Sequence, residues 1–163
     1  MAKNKEEKTN VMRVLEQKKI AYTAHTYPHE EGMAVDGVTV AKSMGFDPAI
    51  VFKTLVARGA SKQYYVFDVP VAENLDLKKA AKAVGEKSIE MIHQKELLPL
   101  TGYVHGGCSP GGMKKLFPTV FHSSAENLAA MIVSAGKIGY QVELAPHDLA
   151  ALVRAKFADI IVE

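Results

Sequence analysis

Lys53 is the residue whose setting most invites chemistry. It is the lone charge in the run Ala49-Ile50-Val51-Phe52-Lys53-Thr54-Leu55-Val56-Ala57. On a strand, successive side chains alternate, so Lys53 shares a face with Val51 and Leu55 while Phe52 and Val56 take the other. An ammonium held there must reach solvent, meet an anion or lose its proton, because burial disfavours the charged form. Two readings stay open. The side chain either snorkels out or pairs with a structural carboxylate, or it is a fixed cation aimed at a phosphate, ribose or carboxylate in a cleft.

The second feature is the stretch Gly102-Tyr103-Val104-His105-Gly106-Gly107-Cys108-Ser109-Pro110-Gly111-Gly112-Met113-Lys114-Lys115. Glycines at this density let backbone N–H groups converge on one point, as an anion nest or oxyanion hole does. They equally make a pair of tight turns around Pro110. A Walker-type phosphate loop does not fit, since Gly107 and Gly112 are correctly spaced but Met113 stands where the lysine belongs. Cys108 with His105 or His93 evokes a thiol nucleophile, yet no acidic third member stands nearby. His25 and His29 have the spacing of a helical metal pair but fall on an expected strand, where four residues span ~13 Å. No metal and no cofactor are therefore expected. The lysines Lys3, Lys5, Lys8, Lys18, Lys19, Lys114 and Lys115 read as solvated faces or as a track for a phosphate backbone.

The elements that position these residues follow from periodicity and punctuation. Val11, Val14 and Leu15 mark an amphipathic helix over residues 9–19. Residues 21–27 read as a strand ended by Pro28, and 29–37 as a polar loop. Asp36 caps a short helix carrying Val40 and Met44, which stops at Gly45. Residues 49–57 look like a strand buried on both faces. A turn at 59–62 joins them to a strand over 63–71. Leu77, Ala80, Ala81 and Val84, between Asp76 and Gly85, specify the clearest helix of the chain. Further strands are expected at 88–92, 119–121, 130–134 and 140–144, the last two joined by the turn 135–139. A turn or helix is expected at 94–98. Pro146 opens a helix bearing Leu149, Leu152 and Val153, and 157–162 reads as a closing strand. Hairpins and helices alternate without a strict βαβ order, which favours a mixed α+β sheet.

Composition narrows the class further. The 163 residues suit one domain, residues 1–163. Hydrophobic and charged fractions of 48% and 23% are ordinary, which argues against disorder. A net charge of +2 permits an anionic partner such as RNA without requiring one. The single cysteine excludes a disulfide framework and suits a reducing compartment. No apolar run reaches the ~18 residues of a membrane span, and residues 1–8 lack a signal peptide's apolar core. The expectation is a cytoplasmic protein with no membrane contact.

The chain resembles the YbaK/EbsC family of aminoacyl-tRNA deacylases, which is similar to the editing domain inserted in bacterial prolyl-tRNA synthetases. The likeness rests on Lys8-Thr9-Asn10-Val11-Met12-Arg13, Phe52-Lys53-Thr54-Leu55 and Leu75-Asp76-Leu77-Lys78-Lys79. It continues through Thr101-Gly102-Tyr103, Ser109-Pro110, Met113-Lys114-Lys115 and Ser134-Ala135-Gly136-Lys137. The resemblance implies a mixed, barrel-like sheet surrounded by helices. It also implies removal of a wrong amino acid from tRNA in trans, above all cysteine from proline tRNA, with alanine as the alternative. Release would be by hydrolysis or by cyclisation of the substrate's own thiol. Lys53 matches the family's essential strand lysine, and Gly106-Gly107-Cys108-Ser109-Pro110 matches its GxxxP loop. Gly106 joins Lys53 as a catalytic position. Tyr27, Gly107, Cys108, Ser109, Pro110 and Gln141 are the implied substrate-binding residues.

The implied partners are mischarged tRNA, proline tRNA first, and prolyl-tRNA synthetase; a monomer is expected. Three departures concern specificity: Gln141 stands where cysteine-specific members have aspartate, an aromatic near Asp36 is missing, and Gly111 replaces an aliphatic. They motivate a competing reading, a non-catalytic RNA-binding or regulatory module of the same fold. A hydrolase of small-molecule esters is a third.

Overall fold

The computed structural model describes residues 8–30 and 32–163. Lys3, Lys5 and the rest of the charged start, and Glu31 of the 29–37 loop, lie outside the described residues. Helix α1 (Asn10–Gln17) is capped by Thr9, whose hydroxyl accepts the Met12 N–H, and it buries Val11, Met12 and Leu15. It leads to β1 (Thr23–Thr26) and then to α2 (Gly37–Met44), which Asp36 caps. Strands β2 (Phe52–Gly59) and β3 (Tyr64–Pro70) form the central hairpin. Helix α3 (Leu77–Val84) runs between its expected signals, with the Asp76 carboxylate accepting from the Lys78 and Lys79 N–H groups and Gly85 turning left-handed. Next come β4 (Ile89–Met91), α4 (Gln94–Thr101), β5 (Thr119–His122), β6 (Met131–Ser134), β7 (Tyr140–Leu144), α5 (Pro146–Val153) and β8 (Lys156–Ala158).

The architecture is mixed α+β. A five-stranded sheet runs β4-β2-β3-β5-β8, antiparallel among its first three strands and parallel from β3 to β8. A three-stranded antiparallel sheet runs β1-β7-β6. The sheets are not closed into a barrel; an isolated parallel bridge between Val51 and Ile132 links them. One core, built around Leu15, Phe52, Phe121, Met131 and Leu149, fills the space between the sheets and α1, α4 and α5. A second, with Phe67, Val69, Ala80 and Ile160, lies under α3.

Three expectations shift. Ala49 and Ile50 belong to a 3-10 turn, Pro48–Ile50, rather than to the strand. The Asp47 carboxylate accepts the Ala49 N–H at 2.9 Å and Pro48 sits in the first turn, so helical geometry wins locally over the apolar run. The strand is also not buried throughout, because Lys53, Thr54 and Leu55 are only half-buried. The closing strand is shorter, with β8 ending at Ala158 and Ile161 making a separate bridge to Leu75.

Candidate functional site

Strand β4 pairs with β2 only from Ala57 to Gly59, so that edge of β2 has no strand pairing between there and the bridge of Val51 to Ile132. The edge borders a cavity of about 290 Å³, lined along β2 by Phe52, Lys53, Thr54 and Leu55. Its other walls are Tyr27 beyond β1, Gly37 and Val40 of α2, Leu97 of α4, His105, Gly106 and Cys108 of the glycine loop, and Ser134 and Gln141. Two segments far apart in sequence, β2 and the glycine loop, thus bring Lys53, Gly106 and Cys108 to one space. Tyr27 and Gln141 join them. Gly107, Ser109 and Pro110 are buried in the loop but do not line the cavity.

Lys53 makes no ion pair within 4 Å among the described residues. Burial lowers its pKa from the ordinary lysine value, and the charge of Glu73 partly opposes this. It is neither fully solvated nor matched to a structural carboxylate, so it has the character of a cation kept for an anion.

The glycine loop is shaped from within. The Tyr103 hydroxyl donates to the Gly111 carbonyl at 2.6 Å, and Ser109 Oγ accepts the Gly111 N–H at 3.3 Å. Gly106 has φ +89°, and a Cβ there would stand 2.7 Å from the Ala34 Cβ, so glycine is demanded by conformation and by space. The amides are not a continuous inward row. The Gly107 N–H donates to the Val104 carbonyl at 3.0 Å, whereas those of Gly106 and Cys108 meet no protein acceptor among the described residues.

Cys108 is buried, and burial first, with the Asp68 carboxyl second, pushes its thiol up to about 12. It stays a thiol at neutral pH, unlike the thiolate a nucleophile requires. Asp36 lines the cavity, and its carboxylate oxygens accept from the Val38 N–H and the Thr39 hydroxyl. It is committed to capping α2. The Tyr27 N–H donates to the Gly139 carbonyl at 3.0 Å, and burial raises the pKa of its phenol. Ser134 and Gln141 are cross-strand partners in β6 and β7, both buried. Ser134 Oγ accepts the Gly136 N–H, while Gln141 Oε1 has no partner. His25 lies outside this cluster; its Nε2 pairs with Glu143 across β1 and β7 at 2.8 Å.

The aminoacyl-tRNA editing domain family matches residues 29–152 of this sequence. The chain belongs to that family. The editing domain is 46% identical over 161 residues, 98% of either chain, to a protein of Enterococcus faecalis (strain ATCC 700802 / V583) named "Putative Cys-tRNA(Pro)/Cys-tRNA(Cys) deacylase EbsC". A solved structure titled as "a putative trans-editing enzyme for prolyl tRNA synthetase" superposes with TM-score 0.78 at 24% identity, covering 94% of this chain and 95% of the other. Another, of a "hypothetical protein", gives 0.82 at 18% identity, with 93% and 99% covered. These two likenesses concern the fold. The activity class expected from sequence, cleavage of an aminoacyl-tRNA ester, is that of the editing family.

Several cavity residues of this editing domain carry weak signals in the sequence. Ser134 stands in a motif shared with the family but without a role, and Leu97 and Val40 show only core periodicity. Asp68, fully buried and bonded to Thr54, has the signal that singles out Lys53: it is the lone charge of the apolar strand β3.

Proposed function

We propose that residues 1–163 work as one domain, a monomer of the cytoplasm, that removes cysteine from mischarged proline tRNA in trans. The convergence of Lys53, the unpaired amides of Gly106 and Cys108, Tyr27 and Gln141 on one cavity carries this reading. The Enterococcus faecalis relative's name supports the substrate, as does the fold shared with a trans-editing enzyme.

An aminoacyl ester is already activated, so positioning and charge stabilisation suffice to cleave it. Lys53 holds the anionic terminal nucleotide of the tRNA. The Gly106 and Cys108 amides face the ester carbonyl and stabilise the negative charge that develops on its oxygen. The protein offers no thiolate, so the nucleophile is water or, on a cysteinyl ester, the substrate's own thiol. The cysteinyl thiol attacks its own carbonyl carbon, the C–S bond forms, the C–O bond to the ribose breaks, and the thiol proton passes to the departing ribose oxygen. The products are a thiolactone and free tRNA. Holding sulfur against carbonyl in that geometry is worth ~7–11 kcal/mol as effective molarity. Editing is needed because small side chains differ by only ~1–3 kcal/mol in a synthetase pocket. Gln141, neutral where cysteine-specific members carry aspartate, favours a second reading, removal of another small amino acid such as alanine.

Deacylation of cysteinyl-, alanyl- and seryl-tRNA(Pro), with and without prolyl-tRNA synthetase, separates the two. Lys53→Ala should lower kcat/KM on the preferred substrate by about 100-fold or more with an unchanged urea midpoint. Near wild-type turnover of that variant on every mischarged tRNA would remove Lys53 from the mechanism.

A further inference from the structure

Asp68 has no role in the chemistry above, yet it is bonded to Thr54, which lines the cavity. It is 0% exposed, and it is the cross-strand partner of Thr54 in the β2–β3 hairpin. Thr54 Oγ1 donates to Asp68 Oδ1 at 2.5 Å, while Asp68 Oδ2 has no partner. Burying a carboxyl with one oxygen unpaired costs stability, about 1–3 kcal/mol for a neutral group. Core packing alone would favour an apolar residue here, as at neighbouring Val66 and Val69. Burial also pushes the Asp68 carboxyl up to about 8, so it is uncharged at neutral pH.

The bond fixes what Thr54 shows to the cavity. A hydroxyl has one hydrogen and two lone pairs. With its own hydrogen on Asp68 Oδ1, and the proton of the neutral carboxyl on the unpartnered Oδ2, Thr54 presents only an acceptor. A second bare acceptor, Gln141 Oε1, stands in the same walls, itself 6% exposed and without a partner. Two neutral acceptors lacking donors, Thr54 half-buried and Gln141 buried, call for a ligand group that brings N–H bonds. The α-amino group of an aminoacyl ester does so in either protonation state.

We propose that Asp68 is a positioning residue, which holds the Thr54 hydroxyl as a hydrogen-bond acceptor for the α-amino group of the bound aminoacyl ester. This rests on the deacylase reading of the cavity. A wild-type chain inactive on every aminoacyl-tRNA defeats that reading, whereas an active chain indifferent to the changes below defeats only this one.

The test is a double-mutant cycle on the preferred aminoacyl-tRNA, read as kcat/KM, with N-acetylated substrate as a second probe. Asp68→Val should lower kcat/KM by about 10-fold or more while raising the urea midpoint, a combination that a purely structural residue does not give. Asp68→Asn, whose carboxamide oxygen still takes the Thr54 hydrogen, should recover to within about 3-fold of wild type. Thr54→Val should match Asp68→Val, and the double variant should be no worse than Thr54→Val alone. Preference for the free over the acetylated amine should shrink in Thr54→Val. The proposal is overturned by wild-type rates in Asp68→Val, by losses that multiply in the double variant, or by an acetyl preference that Thr54→Val leaves intact. If Asp68→Val does not fold, Asp68→Asn, Thr54→Val and their combination decide the question, and an Asp68→Asn loss as deep as that of Thr54→Val overturns it.

Discussion

Replacing Asp68 by asparagine should change how stability depends on pH, in a direction and size set by burial. Its carboxyl is pushed from an ordinary value of 3.8 to about 8 in the native chain, with desolvation as the main cause and the Thr54 hydrogen bond opposing it. Between those limits the folded protein keeps a proton that the unfolded chain has released. Raising the pH therefore favours unfolding: the penalty is absent below about pH 4, grows through the window and is complete above about pH 8. Each pH unit inside it is worth about 1.4 kcal/mol. A carboxamide cannot ionise, so the Asp68→Asn variant lacks this slope. Urea unfolding of both proteins should show the stability difference moving by about 2.7 kcal/mol in favour of Asp68→Asn from pH 5 to pH 7. The Cys108 thiol, at about 12, stays protonated throughout that interval and does not blur the comparison. The absolute difference at one pH is less telling, since the asparagine N–H groups bring their own unpaired cost. A difference that stays flat from pH 5 to pH 7, at equal m values, refutes the reasoning, because Asp68 would then be ionised in the native chain.

Cys108→Ala should keep deacylation within about 3-fold of wild type, since a thiol at about 12 is ionised in roughly one molecule in 10⁵ at pH 7; a folded but inactive variant would restore a nucleophilic thiol. Gly106→Ala should lower both activity and the urea midpoint, with the left-handed backbone costing about 1–2 kcal/mol before the approach of Ala34 is counted. Gln141→Leu should raise stability by removing an orphaned buried acceptor, about 1–3 kcal/mol, and lower kcat/KM on the preferred aminoacyl-tRNA. A loss of stability without loss of rate would make Gln141 a packing residue.

Local signals are legible where a residue's own neighbours decide its fate. Helix α3 starts and stops where Asp76 and Gly85 say, because a cap and a left-handed glycine act within one turn. The β6–β7 hairpin is readable because alternation and a glycine turn agree. Lys53 stands out because one charge among eight uncharged residues needs a reason. The same argument applies to Asp68 in β3, where the more visible hairpin pattern hides it. The 3-10 turn at Pro48–Ile50 escapes notice because the apolar run outweighs an Asp-Pro start signal that is also present. What no local pattern can show is convergence. Periodicity says that Val40 and Leu97 face inward, not that α2 and α4 bring them to the void that Ser134 of β6 also lines.

Convergence also explains why so sparse a set of groups suffices. The carboxylate of the cavity lining is tied to a helix cap, the thiol is neutral, and the Asp68 carboxyl is neutral at pH 7. On that reading Lys53 forms no ion pair with Asp36, the one carboxylate residue of the lining, and its field falls on whatever anion enters. In a partly desolvated space that field is stronger than in water. The lysine's lowered pKa is the cost of the same arrangement, and bound phosphate relieves it by supplying the missing charge. Ligand binding and lysine protonation are thereby coupled. A tRNA end that brings phosphate near Lys53 raises the lysine's pKa, so tRNA binding must weaken on the alkaline side as the free ammonium is lost. In Lys53→Arg, whose guanidinium does not titrate in this range, that weakening must vanish even if positioning suffers.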